Sequence, residues 1–264
     1  MIQIKPKLKI ENLVPEILEM FQNRVLNEIK IQRHRSSVLK LIKDSAPDQA
    51  SNYVALGVLD ALQNKKDNAY KNLENAISLS PREHRVRLVY SDVCSKFGDS
   101  RRAMELIMEC SPASTGQKTL LECAIIRCNL AAHHSLSLEL IQQYQAITVN
   151  EPHHFKPAMI EQLKLVRERI QSSGYSEEDM LLRLEVAVDA VSSEYVVEQT
   201  SKLILRNGTY IHQIYIDADV DVCAEMNFKI ADAIVEKFPS DASDIATFMC
   251  RPIAFLDNLQ KVMQ

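Results

Sequence analysis

The chain has 264 residues, 46% apolar and 25% charged, with a net charge of −4, the composition of an ordinary globular protein able to bury a sizeable core. Only five glycines and nine prolines argue for long helices and against a turn-rich β fold. No apolar run approaches the ~20 residues of a membrane span, no signal peptide is read at the N-terminus, and six irregularly spaced cysteines fit a reducing, cytoplasmic setting better than a disulfide framework.

Residues 1–10 alternate apolar and basic side chains (Ile2, Ile4, Lys5, Lys7, Leu8, Lys9, Ile10), compatible with a short strand or an arm, and Pro6 weakens the strand. From Val14, Ile17, Leu18, Phe21, Val25, Leu26 and Ile29 recur at helical spacing, which predicts one helix running through Ile29 with Pro15 near its start. A second helix is expected at about Ser36–Lys43. The basic cluster of Lys30, Arg33, His34, Arg35, Lys40 and Lys43 lacks interleaved aromatics and any reading motif, so it does not point to nucleic acid.

Ala50 to Glu83 holds two helical patterns around a polar turn. Gly57 and Ala69 stand where the two helices would approach closely, Leu56, Leu73 and Leu79 where the gap between them would be filled, and Pro81 where the second would stop. One such hairpin cannot bury its apolar faces alone, so further copies are expected. With Tyr53 and Ala76, these residues resemble the tetratricopeptide repeat, a 34-residue helix–turn–helix. Its seven preferred positions fall on Tyr53, Leu56, Gly57, Ala69, Leu73, Ala76 and Pro81, while Asp60 stands where a large side chain is usual. A second unit, residues 84–117, offers Tyr90, Ser91, Cys94, Ala103, Ile107 and Cys110 around a turn at Phe97–Asp99. A third, residues 118–151, keeps Leu121, Cys128, Ser137 and Ile141 but puts Ile125 at a close-packing position. The resemblance implies a mainly α helical-repeat solenoid over 50–151, between N-terminal amphipathic helices (1–49) and a C-terminal helical or α+β region (157–264).

Glu151–Pro157 reads as a break. Helices are predicted over Ala158–Ser173 and from Ser176, with Asp179 in its first turn and Met180–Val191 apolar on nearly two faces. Around 195–217, Asn207-Gly208 between apolar runs predicts a hairpin with a strand at 209–217; a helical pair with Gly208 as cap is the alternative. A further amphipathic helix is expected at Asp221–Phe238, stopped by Pro239, and a last helix or two over 243–262, interrupted by Pro252.

Chemical motifs are few. Asp217, Asp219 and Asp221 open like a calcium loop, but Val222 and Phe228 stand where its glycine and glutamate belong, so an acidic loop capping the next helix through Asp219 or Asp221 is expected. His133-His134 and His153-His154 have the wrong separations from Cys123 and Cys128 for zinc. Cys94, Cys110, Cys128, Cys223 and Cys250 fall at packing positions. No phosphate loop, nucleophile elbow or metalloprotease helix occurs, so no catalytic residue, metal or cofactor is assigned and the chain is not read as an enzyme.

In tetratricopeptide repeats the first helices line a concave groove. The resemblance places Val54, Val58, Arg85, Asp92, Lys96 and Asn129 there as partner-binding residues. Val54 and Val58 replace the lysine and asparagine with which some members clamp a terminal carboxylate, which suggests an apolar helix in the groove, the chain's own or a partner's. The expected function is a non-enzymatic adaptor that binds another protein. The alternative rests on charge: residues 177–264 carry seven Lys/Arg against sixteen Asp/Glu, while residues 1–43 carry nine against four. An immunity-protein or antitoxin-like inhibitor of a basic partner, such as a nuclease toxin, would use that acidic region through Asp217, Asp219 and Asp221.

Overall fold

The computed structural model describes residues 13–44, 47–112, 116–149, 155–199, 204–206, 209–240 and 242–255. The expected N-terminal arm, His153-His154 and the Asn207-Gly208 turn lie outside them. The fold is mainly α, with eleven helices and four short strands among the described residues. The chain divides into two compact units, residues 1–93 and 94–264.

The N-terminal unit is built on α3 (Gln49–Leu62), which packs against α4 (Lys66–Leu79), α1 (Leu13–Gln22) and α2 (Glu28–Lys43). Helix α3 buries eleven of its fourteen residues, because neighbours cover it on several sides. The α3–α4 hairpin closes tightly at Gly57: a Cβ there would stand 2.6 Å from Leu73 Cγ and 3.1 Å from the Ala69 carbonyl oxygen. The expected close approach is thus observed, with Leu73 filling the space the glycine leaves. Leu79 does not help fill it; it is exposed at the end of α4.

Asp60 explains the departure from the apolar pattern in α3. It is buried, accepts a 2.6 Å hydrogen bond from Arg35 on α2, and accepts another of 2.8 Å from the Asn72 amide on α4. Arg35 also donates to Gln63, whose amide donates to Glu28. A charged side chain at this position therefore ties three helices together, satisfied as buried charge must be.

The single helix expected through Ile29 is in fact two. Arg24 turns into the left-handed region (φ 53°), and Asn27 caps α2 by accepting from the Lys30 N–H at 3.0 Å. The break leaves Val25, Leu26 and Ile29 exposed, the last at 85%, so the buried stripe of α1 does not continue through them. Helix α2 starts eight residues earlier than the expected Ser36.

Helix α5 (His84–Lys96) crosses the division between the units, and the C-terminal unit continues with α6 (Ser100–Met108), α7 (Lys118–Leu130), α8 (His134–Ile147), α9 (Pro157–Ser172) and α10 (Glu177–Ser192). Gly98 has φ 74°, and a Cβ on it would lie 2.5 Å from Val188 of α10, so both backbone and space demand glycine. Asp99 caps α6, accepting from the Arg102 N–H. In the α7–α8 hairpin Ile125 is accommodated because its partner is small: buried Ser137 donates to the Ile125 carbonyl at 3.5 Å. Helix α10 opens with the expected capping box between Ser176 and Asp179. Buried Arg183 donates to the Ser240 carbonyl at 2.7 Å and lies over the Phe238 ring at 4.4 Å.

The chain then forms a sheet. The central strand β3 (Thr209–Ile216) is flanked on one edge, end to end, by antiparallel β1 (Glu198–Gln199) and β2 (Ile204–Arg206). After α11 (Val220–Lys237), β4 (Ala246–Pro252) returns parallel to β3 along its other edge. The strand expected at 209–217 is present. The helix expected over 243–262 gives way to a strand at 246–252, and residues 256–264 lie outside the described residues: β4 alternates buried and half-buried residues with period two and borders α11 and β3. Pro252 ends a strand here.

Candidate partner-binding surfaces

Where α1 lies on α3, the N-terminal unit keeps a cleft of about 230 Å³. Its apolar wall is Val14 and Leu18 of α1, Val54 of α3, and Val86 and Val89 of α5; Ser51 and the exposed guanidinium of Arg85 stand at it too. Asp48 reaches the same cleft but is engaged as the α3 cap, accepting from the Ser51 N–H at 3.0 Å. The cleft combines these apolar side chains with the exposed Arg85 guanidinium, the exposed Glu83 carboxylate and the hydroxyls of Ser51 and Ser80, suited to an apolar side chain carried on a polar backbone.

The six residues expected to line one groove are distributed differently. Val54 and Arg85 meet at the cleft. Val58 is 0% exposed, and its side chain is used in packing the N-terminal unit. Asp92 is half-buried on α5 in the same unit. Lys96 and Asn129 belong to the C-terminal unit: Lys96 places its ammonium over the Phe97 ring at 5.9 Å, and Asn129 is buried with both amide atoms lacking a partner among the described residues. The wall contributed by Val14, Leu18, Val86 and Val89 was not assigned from sequence. The helical stripe of α1 was the available signal, since Leu18 had to face something.

Asp217, Asp219 and Asp221 are all exposed, the first two between β3 and α11 and Asp221 in the first turn of α11. Asp219 is the cap of α11, accepting from the Val222 N–H at 2.9 Å.

The C-terminal unit also buries a polar cluster. His134 at the start of α8 and His212 on β3 are both fully enclosed, with neither ring nitrogen of either bonded among the described residues. Tyr210 packs edge-on against His134, ring centroids 5.7 Å apart, and its hydroxyl is likewise unbonded. Burial depresses His134 to about 3, with the His212 and His133 rings adding to the effect, and depresses His212 to about 4. In the N-terminal unit His34 is lowered by burial, opposed by Glu16, whose own carboxyl is held down by its hydrogen bond from Lys30. Cys94, Cys110, Cys128, Cys223 and Cys250 are buried free thiols, with Cys128 and Cys250 each pushed up to about 12 by desolvation.

No protein-family model matches the chain, and neither a curated protein nor a solved structure does. The functional reading therefore rests on the chain's own surfaces. Among the described residues no group of three or more His, Cys, Asp or Glu is placed to hold a metal, and no helix is long and apolar enough to cross a membrane.

Proposed function

We propose that the protein is a non-enzymatic adaptor that binds another protein through the α1–α3–α5 cleft of its N-terminal unit. The observation that carries this reading is the cleft itself, where Val14, Leu18, Val54, Val86 and Val89 stand beside the exposed charges of Arg85 and Glu83. The tetratricopeptide resemblance of residues 50–83 supports it, because helical hairpins of that kind present their first helices to ligands. The free thiols support a reducing, cytoplasmic setting. A partner's helix or loop would place one apolar side chain in the cleft and an acceptor on Arg85.

Two substitutions at the cleft test the reading, Ser51→Trp to fill it and Arg85→Glu to reverse its charge. Capture of a stoichiometric partner from native lysate by the full chain is expected to fall at least about tenfold in the double variant, with an unchanged melting temperature. Equal capture by the double variant and the parent would sink the cleft as the binding surface.

A second reading, an inhibitor of a basic protein in the manner of an immunity protein or antitoxin, draws on the exposed Asp217 and Asp221 and on the acidic balance after residue 177. Its signature is an association rate that falls steeply with salt.

A further inference from the structure

Two of the buried thiols stand together in the C-terminal unit. Cys223 lies near the start of α11 and Cys250 near the end of β4, 3% and 2% exposed. They face each other across the helix–strand contact, near enough for one thiol to hydrogen-bond to the other. Asn227, four residues beyond Cys223 and on the same face of α11, accepts from the Cys250 N–H at 2.7 Å and donates to the Cys250 carbonyl at 3.2 Å. Bonded at both backbone groups, Cys250 is fixed against the helix, and with it the approach of the two sulfurs.

Burial raises both thiols above their ordinary value, so at neutral pH both carry their protons. The contact between them divides the pair. It lowers Cys223 against the effect of burial and raises Cys250 further, so Cys223 is the thiol that ionises first and Cys250 the one that keeps its proton. A nucleophilic sulfur with a second thiol beside it is the arrangement from which a disulfide forms, the first sulfur meeting the oxidant and the second resolving it.

We propose that Cys223 and Cys250 form an oxidation site, at which hydrogen peroxide converts the paired thiols into a disulfide that fastens α11 to β4. The Cys223 thiolate attacks one peroxide oxygen. A sulfur–oxygen bond forms as the oxygen–oxygen bond breaks, and the departing hydroxide takes up the proton that Cys223 gave up, leaving as water. The Cys250 sulfur then attacks the sulfenic sulfur of Cys223. The sulfur–sulfur bond forms, and the hydroxyl leaves with the Cys250 proton as a second water. The two thiols lose two electrons and two protons, and the peroxide is reduced to two waters. Because both sulfurs are enclosed, the first step waits on an opening of α11 that admits the peroxide, and the second follows as the helix closes. The bond therefore records that opening, and in a reducing compartment a thiol reductant resets it. The site does not rest on the cleft reading.

The full-length chain is treated with hydrogen peroxide, its remaining thiols are alkylated in urea, and it is digested without reduction for mass spectrometry. The expected product is lighter by two hydrogens before alkylation, with the peptide holding Cys223 joined to the one holding Cys250 and released by dithiothreitol. Cys128, buried on α7, is expected to take the alkylating label. Amide exchange in α11 should slow at least about tenfold on oxidation and recover on reduction. Cys223→Ala and Cys250→Ala should each abolish the cross-link and the slowing; the mapping in the parent chain stands whether or not either variant folds. A disulfide joining Cys223 or Cys250 to a different cysteine overturns the proposal, as does sulfinic acid at Cys223 with Cys250 still a thiol. Both thiols surviving peroxide sufficient to oxidise free cysteine completely overturns it too. Unchanged exchange in the cross-linked chain overturns the fastening of α11.

Discussion

Gly57 and Asp60 sit one turn apart on α3 and make opposite demands on their neighbours. Gly57 is required by space alone, since Leu73 stands where its Cβ would be. Gly57→Val is expected to destabilise the N-terminal unit by about 1–3 kcal/mol through overpacking, read as a lowered urea midpoint with unchanged slope. Asp60 is required by charge. Asp60→Ala strands the Arg35 guanidinium and the Asn72 amide and is expected to cost about 1–3 kcal/mol, whereas the pair Asp60→Leu with Arg35→Met should recover much of that loss. The enclosed histidines give the C-terminal unit a pH dependence. Both His134 and His212 are depressed below the ordinary value near 6.5, so the unfolded chain takes up protons that the folded chain refuses. Their stabilisation is complete above about pH 6.5 and is lost as pH falls toward 4 and then 3. Each is expected to cost about 1–2 kcal/mol between pH 7 and pH 5. His134→Phe with His212→Phe should flatten the acid limb of a thermal-melt profile; an unchanged limb would place the dependence elsewhere.

The starts of α10 and α11 followed from local chemistry, because a cap is a contact between residues three apart, whereas the Asn27 cap of α2 went unread. Ser176 with Asp179 and Asp219 with Val222 are of this kind, and Ser176→Ala is expected to cost about 1 kcal/mol. The α1–α2 break was hidden because Val25, Leu26 and Ile29 continue the apolar spacing of α1 while Arg24 turns the chain. Strand β4 was hidden for a related reason. ATFMCRP is short, and a run of seven residues can satisfy either period until a partner chooses. Its partner is β3, contacted only after an eighteen-residue helix. Met249 lies on the side of β4 that bonds to β3, so Met249→Pro is expected to destabilise the unit by about 3 kcal/mol, while amide exchange in the parent should show β3 and β4 opening together.

At the scale of the whole molecule the charge is graded, basic over residues 1–43 and acidic after 177. The two candidate surfaces differ accordingly. The cleft of the N-terminal unit sets Arg85 and Glu83 beside Val14, Leu18, Val54, Val86 and Val89, so opposite charges offset there and binding should persist in salt. Asp217 and Asp221 of the C-terminal unit are exposed carboxylates, and binding there should weaken as salt screens beyond about 10 Å at 0.1 M. A titration of capture against salt, made with the cleft double variant and with Asp217→Lys, assigns each partner to its surface.

Composition, helical spacing and capping pairs alone determined that this chain is mainly helical, that residues 50–79 form a tight hairpin closing at Gly57, and that a strand and an amphipathic helix follow residue 209. Those features depend on residues close together in the chain, whose pairing needs no knowledge of the rest. Only the tertiary structure decided that α1 leaves a cleft on α3, that Val58 is packed away while Arg85 is exposed, that Asp60 is a buried tie, and that 246–252 is a strand beside β3. Each of these depends on which distant element arrives at a residue. Burial and pairing across such separations are properties of the assembled fold, and no local pattern carries them.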